Sequence, residues 1–101
     1  MSKFAPMILI IDDDRAVCLS LELLLKRAGY EVTSVNTQAD AIDYVRGNSP
    51  QLVLMDMNFS RSTSGDEGLI LLRQVKLFRP AVPVILMTAW GSIPLAVQGI
   101  Q

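Results

Sequence analysis

Apolar runs and polar, helix-like segments alternate along the chain, which predicts buried strands separated by amphipathic helices. Three short runs are apolar at every position: Met7–Ile11, Leu52–Met55 and Val84–Met87. Strands with this pattern are typical of parallel sheets that helices cover on both faces. A fourth predicted strand, Glu31–Val35, alternates apolar and polar residues, which favours a position at the edge of the sheet.

The segments between the strands carry helix-starting and helix-ending residues. The predicted helices run from about Arg15 to Ala28, from the cap Thr37 to Gly47, from Asp66 to Pro80, and from Ser92 onward. In the first helix, the stripe predicted to face the sheet is Val17, Leu21, Leu24, Leu25 and Ala28. Strict alternation of strand and helix predicts right-handed crossovers and a doubly wound α/β sheet.

The length and net charge of the chain limit the classes of function that it can have. A chain of 101 residues forms one domain, here expected over residues 1–101, and its net charge of -1 gives no reason to expect direct binding of nucleic acid or a membrane surface. No apolar stretch approaches the ~18 residues of a membrane span. The single cysteine, Cys18, cannot form an internal disulfide and is expected to be a small apolar filler. We therefore expect a cytoplasmic protein.

Acidic residues directly follow two of the buried runs. Asp12 and Asp13 come after the first run, with Asp14 expected to cap the following helix, and Asp56 ends the third strand. The carboxyl ends of parallel strands form a ligand crevice, so neighbouring strands would gather these acids there. The chain has no histidine, which favours a hard, oxygen-bound cation such as Mg²⁺ as the counter-charge.

These residues and their order resemble the receiver domain of bacterial two-component response regulators. The segments that carry the resemblance are Ile10–Asp14, Leu52–Asn58 and Val84–Ala89, and the likeness extends over essentially the whole chain. The resemblance implies a flavodoxin-like sheet with the strand order 2-1-3-4. It also implies that the chain contains (βα)4 of the usual (βα)5 of the family.

The resemblance further implies the chemistry of the acidic residues. Asp56 would accept a phosphoryl group from a phosphohistidine of a sensor histidine kinase. Mg²⁺ would be held by Asp13, Asp56 and the backbone carbonyl of Asn58, with Asp12 assisting. In phosphoryl transfer the protein mainly positions groups and neutralises charge, which suits such a site.

The segment after the fourth strand is expected to respond to the phosphate. The resemblance implies that Thr88, with Ala89 beside it, hydrogen-bonds the new phosphate and moves when it arrives. Trp90 lies two residues beyond Thr88, where an indole would screen the acyl phosphate from water and lengthen its lifetime. The alternative for Trp90 is an aromatic residue that packs on the last helix.

The chain departs from the family pattern in two places. The loop after Asp56 is longer than usual and lacks the common proline. The sequence also stops at Gln101, before the family's fifth strand with its lysine and the fifth helix. We therefore expect a truncated receiver domain with an exposed apolar edge at Val84–Met87, which would form a homodimer or a swapped oligomer.

Three functions are consistent with this pattern. The first is a phosphoacceptor switch that modifies itself, is not a turnover enzyme, and controls a transcriptional output. The second is a Mg²⁺-dependent phosphatase of the haloacid dehalogenase type, although Asp12–Asp14 lack the expected following Gly-Thr and the chain has no cap domain. The third is a receiver-like module that binds partners without phosphorylation, because the family lysine is absent.

Overall fold

Parallel strands and helices alternate along the chain in a computed structural model that describes residues 6–56 and 66–87. The strands are β1 (Met7–Ile11), β2 (Glu31–Val35), β3 (Leu52–Asp56) and β4 (Val84–Met87). The helices are α1 (Arg15–Arg27), α2 (Gln38–Gly47) and α3 (Asp66–Phe78). The helix predicted from Ser92 lies outside the described residues. Within the described ranges, the predicted alternation of strand and helix is confirmed.

The described strands form one parallel sheet in the order β2-β1-β3-β4, as predicted. The chain passes from β1 outward to β2 and then returns to the other side of β1 to form β3. This reversal places a crevice at the carboxyl ends of β1 and β3. Ile11 pairs with Met55 in the sheet, so Asp12 and Asp56 follow at the same level.

Alternate side chains of each strand enter two separate clusters. The first cluster lies under α2 and α3, and its buried members are Leu9, Ile11, Ala41, Val45, Val53, Met55, Leu71, Val75 and Val82. The second lies under α1 and has only three buried members, Ile8, Ile10 and Cys18. Both clusters include β1, so this central strand is fixed from both faces.

Side-chain caps begin α1 and α2 at the predicted residues. The Asp14 carboxylate accepts hydrogen bonds from the backbone N–H groups of Ala16 at 2.9 Å and Val17 at 3.3 Å. The Thr37 hydroxyl accepts one from the N–H of Asp40 at 3.1 Å. Gly29 follows the end of α1 with a φ of 101°, a left-handed conformation that glycine adopts without strain.

The prediction of which side of α1 faces the sheet was partly wrong. Leu21 and Leu25 pack on the second cluster, but Val17, Leu24 and Ala28 are exposed. Cys18 is the buried residue of this helix, only 3% exposed. Apolar residues occupy adjacent positions around much of α1, so two overlapping stripes have helical spacing, and the sheet selects the one that contains Cys18.

β4 forms one edge of the described sheet, and part of it is open. Ile85 is 52% exposed and Leu86 is 37% exposed. The exposed apolar edge predicted at Val84–Met87 is therefore present among the described residues. None of the helices in residues 6–56 and 66–87 has both the length and the apolar character needed to cross a membrane.

Candidate functional site

Three carboxylates meet at the carboxyl ends of β1 and β3. Asp12, Asp13 and Asp56 each place one carboxylate oxygen within 4.8 Å of the other two. Asp12 is 5% exposed, while Asp13 and Asp56 are half-buried. We call these three residues the acid pocket. The structure thus brings together the acids that follow β1 and end β3.

The backbone around Asp12 explains how its carboxylate is oriented. Its N–H donates to the carbonyl of Val35 at 3.1 Å, which extends the pairing of β1 with β2 by one residue. Its Oδ1 accepts a hydrogen bond from the N–H of Asp14 at 2.9 Å. Since Asp14 also caps α1, the turn from strand to helix is fixed at both ends.

A side chain that the sequence analysis did not select also contacts Asp12. The Asn36 amide Nδ2 donates to the carbonyl oxygen of Asp12 at 2.9 Å. The Cys18 thiol lies 3.5 Å from the same oxygen and 3.5 Å from Asn36 Nδ2. The available signal was position: Asn36 directly follows β2, at the edge of the sheet where the acids lie.

Burial and like charge raise the pKa of Asp12 to about 6. Burial is the largest cause, and the charges of Asp56, Asp13 and Asp14 add to it, while the hydrogen bond from the Asp14 N–H acts in the opposite direction. Both raising causes penalise the ionised carboxylate. A bound cation would oppose this penalty, so the charge state of Asp12 depends on a counter-ion.

The donor set fits one hard divalent cation. Carboxylate oxygens are the ligands that Mg²⁺ and Ca²⁺ prefer, at roughly 2.0–2.6 Å from the ion. Oxygens that bind one such ion are therefore at most about 4–5 Å apart, and the oxygens of the acid pocket, which lie within 4.8 Å of one another, are close enough to share one ion. The chain contains no histidine to favour a softer metal.

Four further predicted site residues lie outside the described residues: Asn58, Thr88, Ala89 and Trp90. Their predicted roles therefore stay predictions. Met87, which immediately precedes Thr88 in the sequence, pairs with Asp56 in the sheet. The last described residue of β4 is thus level with the last residue of β3.

Comparison with known proteins gives matches over nearly the whole chain. The profile of the response regulator receiver domain matches residues 8–101. The transcriptional regulatory protein ZraR of Escherichia coli K12 is 35% identical over 94 residues, which cover 93% of this chain and 20% of that protein. The chain therefore spans about a fifth of the length of the curated relatives it matches.

Solved structures share the arrangement of strands and helices. One is the N-terminal signal receiver domain of a two-component system response regulator from Bacteroides fragilis, with a TM-score of 0.78 and 35% identity. That match covers 95% of this chain and 76% of the other. Another, described as a transiently phosphorylated switch in bacterial signal transduction, has a TM-score of 0.73 and 30% identity, and covers 95% and 74%.

Proposed function

Because this chain belongs to the response regulator receiver domains, we propose that it is a Mg²⁺-dependent phosphoacceptor switch and that Asp56 is the acceptor. The observation that carries the proposal is the acid pocket, in which three carboxylate oxygens lie within 4.8 Å of one another. The 30% identical structure described as a transiently phosphorylated switch supports the same function.

Asp56 suits the role of acceptor better than Asp12 does. Asp56 is half-buried at the end of a central strand, so its side chain keeps part of its exposure to solvent. Asp12 is almost completely buried, and its Oδ1 already accepts the Asp14 N–H.

The proposed step is phosphoryl transfer from a phosphohistidine of a sensor histidine kinase. A carboxylate oxygen of Asp56 attacks phosphorus and forms a P–O bond while the P–N bond breaks. The imidazole nitrogen keeps the electron pair of the broken bond and takes a proton from water. The product is an acyl phosphate on Asp56, a modification of the protein itself, so the domain is not a turnover enzyme.

The acid pocket would repel an anionic phosphoryl group if its charge stayed uncompensated. Asp12, Asp13 and Asp56, together with the carbonyl of Asn58, are the proposed ligands of Mg²⁺. When bound, Mg²⁺ supplies positive charge that neutralises the oxygens of the transferred group. The hydroxyl of Thr88 and the neighbouring Ala89 are the proposed contacts of the new phosphate, and Trp90 the proposed determinant of its lifetime.

The proposed partners follow from the family. A sensor histidine kinase in the cytoplasm supplies the phosphoryl group, and the proposed output is transcriptional, because ZraR and DctD are named transcriptional regulatory proteins. The haloacid dehalogenase alternative is not favoured, since the receiver profile accounts for residues 8–101.

The test is incubation of the purified chain with Mg²⁺ and acetyl phosphate, followed by mass analysis. Wild type should gain the mass of one phosphoryl group, and Asp56→Asn should gain none. Asp43→Asn, which changes an exposed aspartate of α2, is the matched control and should be labelled like wild type. Labelling of Asp56→Asn at the wild-type level, or repeated hydrolysis of acetyl phosphate without a labelled protein, would contradict the proposal.

A further inference from the structure

We infer that Asn36 is a positioning residue of the acid pocket: it holds the Asp12–Asp13 peptide in place and thereby raises the affinity of the pocket for a divalent cation. The inference rests on the proposed function, because it assumes that the pocket binds Mg²⁺. It assigns to the edge strand β2 a part in a site whose acids come from β1 and β3.

The end of β2 contacts both polar groups that flank the Asp12 side chain. The N–H of Asp12 donates to the carbonyl of Val35 at 3.1 Å. The carbonyl of Asp12 accepts from Asn36 Nδ2 at 2.9 Å. Val35, the last residue of β2, and Asn36, which follows it, therefore hold Asp12 through its N–H and its carbonyl group.

The second of these bonds acts on two acids together. The carbonyl of Asp12 and the N–H of Asp13 belong to one planar peptide unit. When Asn36 fixes the direction of that carbonyl, it also fixes the orientation of the whole peptide plane. That orientation determines the directions in which the Asp12 and Asp13 side chains leave the backbone. β1 ends at Ile11, so strand pairing alone does not orient this peptide.

The amide of Asn36 is the stronger of the two donors at this carbonyl. A thiol donates weakly, and the Cys18 sulfur is 3.5 Å away. Like charge tends to separate the carboxylates before a cation binds, because their oxygens lie within 4.8 Å of one another. A peptide held against that separation keeps the ligands in place in advance, which improves the affinity for the ion.

The chain supplies a matched control for this bond. Asn48 Nδ2 donates to the carbonyl of Tyr44 at 3.1 Å, with the same chemical groups and a similar length. Asn48 follows the end of α2 and precedes β3, so it lies toward the amino ends of the strands, away from the acid pocket. Loss of its side chain removes a hydrogen bond without touching the acids.

The experiment is calorimetric titration of the chain with Mg²⁺ at neutral pH, for wild type, Asn36→Ala and Asn48→Ala. Outer partners of metal ligands typically contribute 10- to 100-fold in affinity, and one that acts through the backbone should contribute less, about 3- to 10-fold. We expect the Kd for Mg²⁺ to rise by that factor in Asn36→Ala and by less than about twofold in Asn48→Ala.

Urea unfolding of the metal-free proteins separates positioning from general stability. A purely structural role would lower the unfolding midpoint of both variants and leave the Kd of the folded proteins unchanged. If Asn36→Ala does not fold, as judged by circular dichroism, Asn36→Leu fills the same space without the donor and is expected to show the same rise in Kd.

The outcomes distinguish the inference from the proposed function. If wild type itself does not bind Mg²⁺, the proposed function fails. If wild type binds Mg²⁺ and the folded Asn36 variants bind it within twofold of wild type, the inference about Asn36 is wrong and the proposed function stands. A rise in Kd of equal size in Asn48→Ala would also overturn the inference, because the effect would not be specific to the pocket.

Discussion

Among residues 6–56 and 66–87, the two faces of the sheet differ in how completely helices cover them. Under α2 and α3, the side chains of Leu9, Val53 and Met55 are fully buried. On the face that carries α1, Leu54 is only half-buried, and Ile85, which pairs with Leu54 in the sheet, is 52% exposed. Among the described residues, the first face therefore supplies more of the packing around β3, while the second leaves more apolar surface exposed.

This difference matters for the site because β1 and β3 carry the acids. The pocket tolerates close negative charge only if the strands beneath it are held firmly, and the face under α2 and α3 does this. Substitutions that weaken one face and spare the other should therefore have unequal effects on stability.

The largest expected effect is the loss of a fully buried leucine from the face under α2 and α3. Leu9→Ala should lower the free energy of unfolding by about 3–4 kcal/mol, since it removes buried methylene groups and leaves a cavity. Leu54→Ala, on the neighbouring strand and the other face, should cost about 1–2 kcal/mol because solvent already reaches that side chain. Urea unfolding measures both values, and equal losses would show that the two faces are equally packed.

The next effect concerns pH and the charge of the acid pocket without metal. Asp12 has a pKa of about 6 in the fold against a usual value of 3.8. The folded state binds the extra proton between these values, so the stability of the metal-free protein falls as pH rises from about 4 to about 6 and then levels off. The fall attributable to Asp12 is up to about 3 kcal/mol.

The variant Asp12→Asn isolates this contribution. At neutral pH without metal it should be more stable than wild type, and below pH ~4 the difference should vanish because both side chains are then neutral. Saturating Mg²⁺ should stabilise wild type more than the variant. A pH-independent difference between the two proteins would contradict the assignment of the raised pKa to Asp12.

A smaller effect on stability is expected when polar contacts on the two sides of the sheet are removed. Arg79 donates from Nε to the carbonyl of Val45 at 2.8 Å, which ties the end of α3 to α2. Arg79→Ala should cost about 1–2 kcal/mol. On α1, Lys26 lies 3.6 Å from Glu22 on an exposed surface, and Lys26→Ala should cost about 0.5 kcal/mol or less. Thermal unfolding of the two variants checks the order, and a reversed order would argue against the tie between α2 and α3.

The smallest expected effect is on self-association through the exposed apolar surface of β4. We expect the isolated chain to associate at high concentration, and Ile85→Lys to weaken that association several-fold by placing a charge on exposed apolar surface. Leu77→Lys is the control, because Leu77 is 77% exposed on α3. Sedimentation velocity measures the effect. A monomeric wild type at high concentration, or equal weakening by both variants, would reject this surface.

The sequence predicted most of the described fold because its local signals are strong and agree with one another. The apolar runs set the strands within the observed bounds, and Asp14 and Thr37 cap α1 and α2 at the expected positions. Strand order came from the family resemblance, since pairing between distant segments leaves no local pattern.

The features that the sequence analysis missed depend on contacts between distant segments. The role of Asn36 arises only when the end of β2 lies beside Asp12, 24 residues earlier in the chain. The buried side of α1 could not be chosen from spacing, because Leu24 and Leu25 are equally apolar and only the sheet distinguishes them. The raised pKa of Asp12 likewise requires its burial among the other acids.

The double role of Asp14 has a consequence for spectroscopy. Its N–H contacts the Asp12 carboxylate, and its own carboxylate caps the amides of Ala16 and Val17. A change in the position of Asp12 is therefore passed to the first turn of α1 by two hydrogen bonds in series. In ¹⁵N-labelled protein, the amide resonances of Ala16 and Val17 then report, without an attached probe, whether the neighbouring carboxylates hold an ion.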